Sequence, residues 1–97
     1  MIFQAIVTKY LSPTNVRGAR VKATAAAGSV TLHWDHALNS EDNHTAAAKA
    51  LANKYNWPGE WHGGGMPDDK GNVYVSADIG HGPAFVTYDA TEGSAAP

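Results

Sequence analysis

Four residues near the middle of the chain have side chains that can bind a metal ion: His33, Asp35, His36 and His44. Imidazole and carboxylate groups are common zinc ligands. Their spacing matches no metal motif, and histidines three residues apart at the end of a strand point in different directions. We therefore predict no metal site and no cofactor. Instead we expect His33 to be exposed opposite Lys22, Asp35 to pair with Arg20, and His44 to lie at the start of a helix.

Residues for nucleophilic or phosphate chemistry are present but lack the local context that such chemistry needs. Serines are available at Ser29, Ser40 and Ser76, and none lies in a nucleophile-elbow sequence. A chain of 97 residues leaves little room for a deep pocket beside its core. The run Gly63–Gly65 lacks the following Gly-Lys-Ser/Thr of a phosphate-binding loop and leads instead to two aspartates. The sequence thus predicts no catalytic residue and no enzymatic activity.

The basic residues are unevenly distributed along the chain. Residues 1–34 contain four basic residues and no acid, whereas residues 35–97 contain all nine acids. Such asymmetry is typical of a surface for an anionic partner, although the two halves could also neutralise one another across the fold. The predicted binding residues are Lys9, Tyr10, Asn15, Arg17, Arg20, Lys22 and His33. They could contact a nucleic-acid backbone, but they lack the several aromatic residues of an RNA-binding sheet.

A second set of residues allows two interpretations. Trp57, Trp61 and His62 precede the Gly63–Gly65 run in a segment of low helix and strand propensity. Tryptophan is a frequent anchor of protein interfaces, and it is equally able to bury a large area in a core. The sequence does not decide between these two roles.

Residues 19–34 are the most clearly patterned segment and predict an antiparallel hairpin with Ala27 and Gly28 at its turn. The apolar face of this hairpin would carry the pairs Ala25 with Val30, Ala23 with Leu32, and Val21 with Trp34. The polar face would carry the pairs Thr24 with Thr31, Lys22 with His33, and Arg20 with Asp35. Strict alternation fixes which residues share a face.

The remaining segments complete an α+β pattern. Residues 2–10 predict a strand that is central in the sheet or covered on both faces, because its apolar residues point both ways. A helix is expected over residues 41–55, capped by Asn39 or Ser40, with a buried stripe of Ala47, Ala48, Leu51 and Tyr55. Residues 57–71 predict a loop, residues 72–78 and 84–90 two further strands, and residues 91–97 a disordered tail. The predicted fold is a largely antiparallel sheet of about five strands, in the order β-β-β-α-β-β, with the helix packed on one face.

Length and composition indicate one domain, residues 1–90, with a modest core. Apolar residues make up 43% of the chain, and there is no cysteine, which excludes disulfides and thiolate chemistry. The first residues lack the basic start and cleavage site of a signal peptide, and no segment is apolar enough to span a membrane. We therefore expect a cytoplasmic protein with no membrane partner.

Several stretches resemble a group of small uncharacterised proteins carried by bacteriophages and plasmids. The similarity covers about residues 5–76 and is clearest in Thr8-Lys9-Tyr10-Leu11, Pro13-Thr14-Asn15, Arg17-Gly18, and the run from Asp35-His36 to Asn43-His44. Small proteins of mobile elements are often accessory factors that bind a host machine, as anti-CRISPR and other anti-defence inhibitors do. The resemblance thus implies a non-enzymatic inhibitor in the host cytoplasm, bound to a host protein or protein–nucleic-acid complex, as a monomer or a homodimer. The alternative is a small nucleic-acid-binding protein that uses the same basic residues.

Overall fold

A computed structural model describes residues 4–67, 71–77 and 82–87, in which one helix packs on one face of an antiparallel six-stranded sheet. The elements are β1 (Ile6–Leu11), β2 (Arg20–Ala25), β3 (Gly28–His33), α1 (Ser40–Lys54), β4 (Gly59–Gly65), β5 (Gly71–Ser76) and β6 (Phe85–Thr87). The strand order across the sheet is β3-β2-β1-β5-β4-β6. The predicted α+β architecture is confirmed, with one strand more than expected.

The hairpin of β2 and β3 forms with the predicted faces but in a different register. Ala23 pairs with Val30 and Val21 with Leu32, so the pairing is shifted by two residues and the turn lies at Ala26 and Ala27. An even shift keeps every side chain on its predicted face. The shift also corrects the charge pair that we expected, because Arg20 lies opposite His33 and not opposite Asp35.

The end of the helix packs against the start of β3. Gly28 is the first residue of β3, and a Cβ built there would lie 2.1 Å from the Tyr55 hydroxyl oxygen. That hydroxyl donates a hydrogen bond to the carbonyl of Ala27 at 3.2 Å. A side chain at position 28 would therefore displace the Tyr55 hydroxyl.

β1 lies inside the sheet, between β2 and β5, as its apolar content indicates. Ile6 and Thr8 are buried against the helix, whereas Val7 on the other face is 37% exposed. Of the two predicted alternatives, the central strand is therefore confirmed, and cover on both faces is not what the exposure of Val7 shows. Residues 2 and 3 of the predicted strand lie outside the described residues.

α1 begins and ends close to the predicted residues. The Asn39 side chain caps it by accepting a hydrogen bond from the Asp42 amide, and the chain leaves the helix through Asn56, whose φ is 55°. Its buried face consists of Asn43, His44, Ala47, Ala48, Leu51 and Ala52, while Tyr55 is half-buried. This face packs chiefly on β1 and β2, on the side that carries Val21 and Ala23, as predicted.

The predicted loop at residues 57–71 is wrong, because Gly59–Gly65 forms β4 between β5 and β6. Trp61 explains why a glycine-rich segment becomes a strand. Its side chain is fully buried and its ring stacks on Phe85 of β6, with centroids 5.8 Å apart. Gly63 leaves space for the Tyr74 ring, which a Cβ would approach to 2.6 Å. Tertiary packing thus outweighs the low strand propensity of glycine.

The tryptophans belong to the core and are not exposed anchors. Trp61 is buried, and Trp57 packs against the core with its ring stacked between those of Tyr55 and Trp61. Among the described residues, no helix is both long enough and apolar enough to cross a membrane. The predicted tail at 91–97 and the end of the last predicted strand at 88–90 lie outside the described residues.

We predict that Gly28→Ala destabilises the protein by about 1–3 kcal/mol, because the new methyl group overlaps the Tyr55 hydroxyl. In a Tyr55→Phe background the overlapping oxygen is absent, so the same substitution should cost clearly less. The free energies of unfolding of all four proteins in urea measure this coupling. An equal cost of Gly28→Ala in both backgrounds would show that the Tyr55 hydroxyl does not limit the residue at position 28.

Candidate functional site

The face of the sheet opposite the helix carries most of the predicted binding residues. We call it the open face; it consists of the strand residues that alternate with the core, among them Val7, Lys9, Arg20, Lys22, Thr31, His33, Val73 and Val75. α1 covers the other face, where the buried residues of the strands lie. Four of the seven predicted binding residues, Lys9, Arg20, Lys22 and His33, are on the open face.

Two lysines lie directly opposite each other on this face. Lys9 of β1 and Lys22 of β2 are cross-strand partners. Within the described ranges neither ammonium group forms an ion pair, and the one ion pair found there joins His62 to Glu60. Like charges directly opposite each other on adjacent strands destabilise a sheet. Repulsion between the two ammonium groups therefore lowers the stability of the folded chain, so folding alone does not account for this pair.

The loop of residues 12–19 brings a further cation to the same end of the sheet. The Thr14 hydroxyl accepts hydrogen bonds from the amides of Val16 and Arg17, and the Thr14 amide donates to the Arg17 carbonyl at 2.7 Å. The folded loop borders a hollow of about 330 Å³ lined by residues that include Arg17, Arg20, Thr31 and His33. The structure thus joins Arg17 to the open face; we call Lys9, Arg17, Arg20, Lys22 and His33 the basic patch.

The other two predicted binding residues lie elsewhere. Asn15 is exposed in the loop and does not line the hollow. Tyr10 lies on the helix side of β1, where its ring meets Trp34 edge to face with centroids 5.0 Å apart. Strand alternation explains this position, because Tyr10 shares a face with the buried Ile6 and Thr8.

Aromatic rings are confined to the helix side in the part of the chain that the structure describes. Trp61 and Phe85 are in the core, Trp34, Tyr55 and Trp57 pack against it, and Tyr10 and Tyr74 make ring contacts there. The basic patch consequently has no aromatic platform from the described residues on which bases could stack.

The open face is apolar beside its basic end. Val7 of β1 pairs with Val73 of β5, and Val75 is 45% exposed two residues further along the same strand. Val16, in the loop next to Arg17, is 89% exposed. Arginine is enriched in protein interfaces and their centres are apolar, whereas lysine is depleted there, so Arg17, Arg20 and the valines are the interface-like part of this surface.

A second concave site lies on the helix side, and sequence reasoning missed it. A cleft of about 710 Å³ is lined by residues that include Tyr10, Trp34, Glu41, His44 and Asn72. His44 Nδ1 lies 2.7 Å from the Thr8 hydroxyl oxygen, and burial lowers the pKa of His44 below its ordinary value of 6.5. We call this site the aromatic cleft. Its signal in the sequence was the position of His44 in the buried helical series with Ala47, Ala48 and Leu51.

The four residues considered as metal ligands do not converge. His33 is exposed on β3, Asp35 accepts a hydrogen bond from the Ala37 amide, and His44 is buried in α1. The described residues contain no group of three or more histidine, aspartate or glutamate side chains that could hold a metal ion.

No protein-family model, no curated protein and no solved structure matches the chain. Interpretation of the two sites therefore depends on their own geometry and chemistry.

We predict that Lys22→Glu stabilises the protein by about 0.2–1 kcal/mol, because it replaces a repulsive cross-strand pair with an attractive one. The gain should shrink at high salt, which screens exposed charges. Urea unfolding at low and high salt measures both effects. Lys49→Glu, on the exposed side of α1, is the control for net charge. An unchanged or lower stability of Lys22→Glu at low salt would contradict the proposed repulsion.

We also predict that the protein loses stability as the pH falls through 6.5, the ordinary pKa of histidine. The unfolded chain then takes up a proton at His44 before the folded protein does, which favours unfolding. Each unit by which folding lowers this pKa corresponds to about 1.4 kcal/mol. Urea unfolding at about pH 7.5 and about pH 5.5 should show a smaller loss for His44→Gln than for the unaltered protein. Equal losses would contradict the assignment to His44.

Proposed function

We propose that the chain is a non-enzymatic binding protein that places the open face on an acidic surface of a protein partner. In the setting that the sequence resemblance implies, it is an accessory protein of a phage or plasmid, and the partner belongs to a host complex in the cytoplasm. Inhibition of a defence complex by occlusion, as anti-CRISPR proteins do, is the form of this function that we favour.

The opposed pair of Lys9 and Lys22 is the observation that carries this proposal. Folding alone does not favour the pair, because the two charges repel and no described carboxylate offsets them. A carboxylate-rich partner surface would turn this repulsion into attraction. The cost of the pair in the free chain would then be recovered on binding.

The surroundings of the pair favour a protein partner over a nucleic acid. Val7 and Val73 adjoin it on the open face, and Val16 lies beside Arg17 at its end. Apolar contacts next to cations suit a protein surface, whereas a nucleic acid would use the cations and gain little from valine. The hollow beside the loop of residues 12–19, near Arg17 and Arg20, offers a concave contact at the edge of the open face.

Nucleic-acid binding is the second candidate, and the same cations favour it. Lysine and arginine on one face can contact successive phosphates. Because no described aromatic residue lies on the open face, nucleic-acid binding there would be limited to contacts with the sugar-phosphate backbone. Such binding would be weak, independent of sequence and strongly dependent on salt.

We predict that the immobilised chain captures a stoichiometric partner from lysate of its bacterial host and that Lys9→Gln/Lys22→Gln abolishes this capture. The double substitution removes the cationic pair while keeping side-chain length. Lys49→Gln/Lys54→Gln removes the same charge from α1 and is the matched control. Quantitative mass spectrometry of nuclease-treated eluates compares the three proteins.

The proposal requires that Lys49→Gln/Lys54→Gln, on the helix, retain the partner and that Lys9→Gln/Lys22→Gln, on the sheet, lose it. Equal capture by both variants would contradict a role for the open face. Capture that disappears after nuclease treatment, together with binding to purified DNA or RNA that weakens steeply with salt, would favour the second candidate instead.

A further inference from the structure

The aromatic cleft has the size of a small-molecule site and lies on the helix side of the sheet. Its volume of about 710 Å³ is within the range of ordinary ligand pockets, about 300–1,000 Å³. It lies where the first turn of α1 approaches β1 and β5, and residues of all three elements line it. Lys9 is the one residue of the basic patch in this lining.

Two aromatic rings in the lining of the cleft stand nearly perpendicular to each other. The rings of Tyr10 and Trp34 are inclined at 82°, with centroids 5.0 Å apart, and Tyr10 is 42% exposed. The His44 ring also lies edge to face against Trp34, at 86° and 6.0 Å. The faces of aromatic rings carry negative potential and attract cations. Perpendicular rings can present such faces to one ligand from two sides.

The charges around the cleft also favour a cation. Glu41 contributes a carboxylate to the lining, and no described basic group forms an ion pair with it. The lowered pKa of His44 leaves its imidazole neutral at neutral pH, so it does not repel a positive ligand. Lys9 borders the cleft, but strand alternation directs its side chain to the open face. Glu41 and Asp42 offset the positive end of the helix dipole.

We propose that the aromatic cleft binds a methylated ammonium group, either of a small free amine or of a methylated lysine side chain. A primary ammonium is strongly hydrated and needs several hydrogen-bond acceptors, which Ser40, Glu41 and Asn72 can supply only on the side of the cleft away from the rings of Tyr10 and Trp34. Methylation removes those donors and leaves a weakly hydrated cation suited to cation–π contact. Glu41 supplies the balancing charge.

Titration with tetramethylammonium and choline, followed by tryptophan fluorescence and by amide chemical shifts of α1 and β1, tests this proposal. The neutral isostere of choline, 3,3-dimethylbutanol, should bind at least about 5-fold more weakly, because it lacks the cation–π attraction. Tyr10→Leu should abolish detectable binding of both cations. A peptide containing trimethyllysine then distinguishes the sources: tighter binding of the peptide than of choline assigns the site to a protein ligand, and the reverse assigns it to a free amine.

Glu41→Gln should weaken binding of the cations several-fold, whereas Asp42→Asn should leave it nearly unchanged. Asp42 is the matched control because it lies in the same helical turn and does not line this cleft. Equal affinity for choline and its neutral isostere, equal effects of the two acid substitutions, or no binding of any of these cations would each overturn the proposal. Lys22 belongs to the basic patch but does not line the cleft, so Lys22→Gln should leave binding of these cations unchanged and separates this test from the proposed protein partner.

Discussion

In the described part of the chain a single helix of 15 residues covers one face of a six-stranded sheet, and this constraint shapes the core. The buried face of α1 is mostly alanine, at Ala47, Ala48 and Ala52, so the helix can lie close to β1 and β2. Small residues allow close approach but bury little apolar area each. The strands must therefore supply the bulk of the core from their own side chains.

That bulk consists of aromatic rings on the far half of the sheet. Trp61, Tyr74 and Phe85 fill the space over β4, β5 and β6, and Trp57 extends the stack toward Tyr55 at the end of the helix. Burial of these large rings stabilises β4, whose glycine content alone would not favour a strand. It also draws the described aromatic residues to one side of the sheet and leaves the other side to valine, threonine, lysine and arginine. The core and the open face thus have a common cause.

Sequence reasoning succeeded where the pattern was periodic and failed where distant residues decided. The alternation of Val21 and Ala23 with Lys22 determined the faces of β2, whatever the register of the hairpin. Local turn preference pointed to the wrong pair of residues for the turn, and the contacts of Ala27 and Gly28 with Tyr55, 27 residues after Gly28, are not visible in the local sequence. The same reason explains β4, whose pairing depends on Phe85. The predicted binding residues of β1, β2 and β3 whose side chains point to the open face were brought together by the sheet. Tyr10 was grouped with Lys9 because the two are neighbours in the sequence, but its side chain lies on the opposite face.

The central claim is that the core lies on one side of the sheet only. Because the chain has no native cysteine, introduced cysteines can test this claim. Single cysteines at Val7 and Thr31 of the open face, and at Ala23 and Ala48 of the core, can each be labelled with a thiol reagent in the folded protein and in denaturant. The account predicts that the open-face cysteines react in the folded protein nearly as fast as in denaturant, and that the core cysteines react only on unfolding. Protection of the cysteines at positions 7 and 31 in the free, monomeric protein would contradict it, because the open face would then be covered.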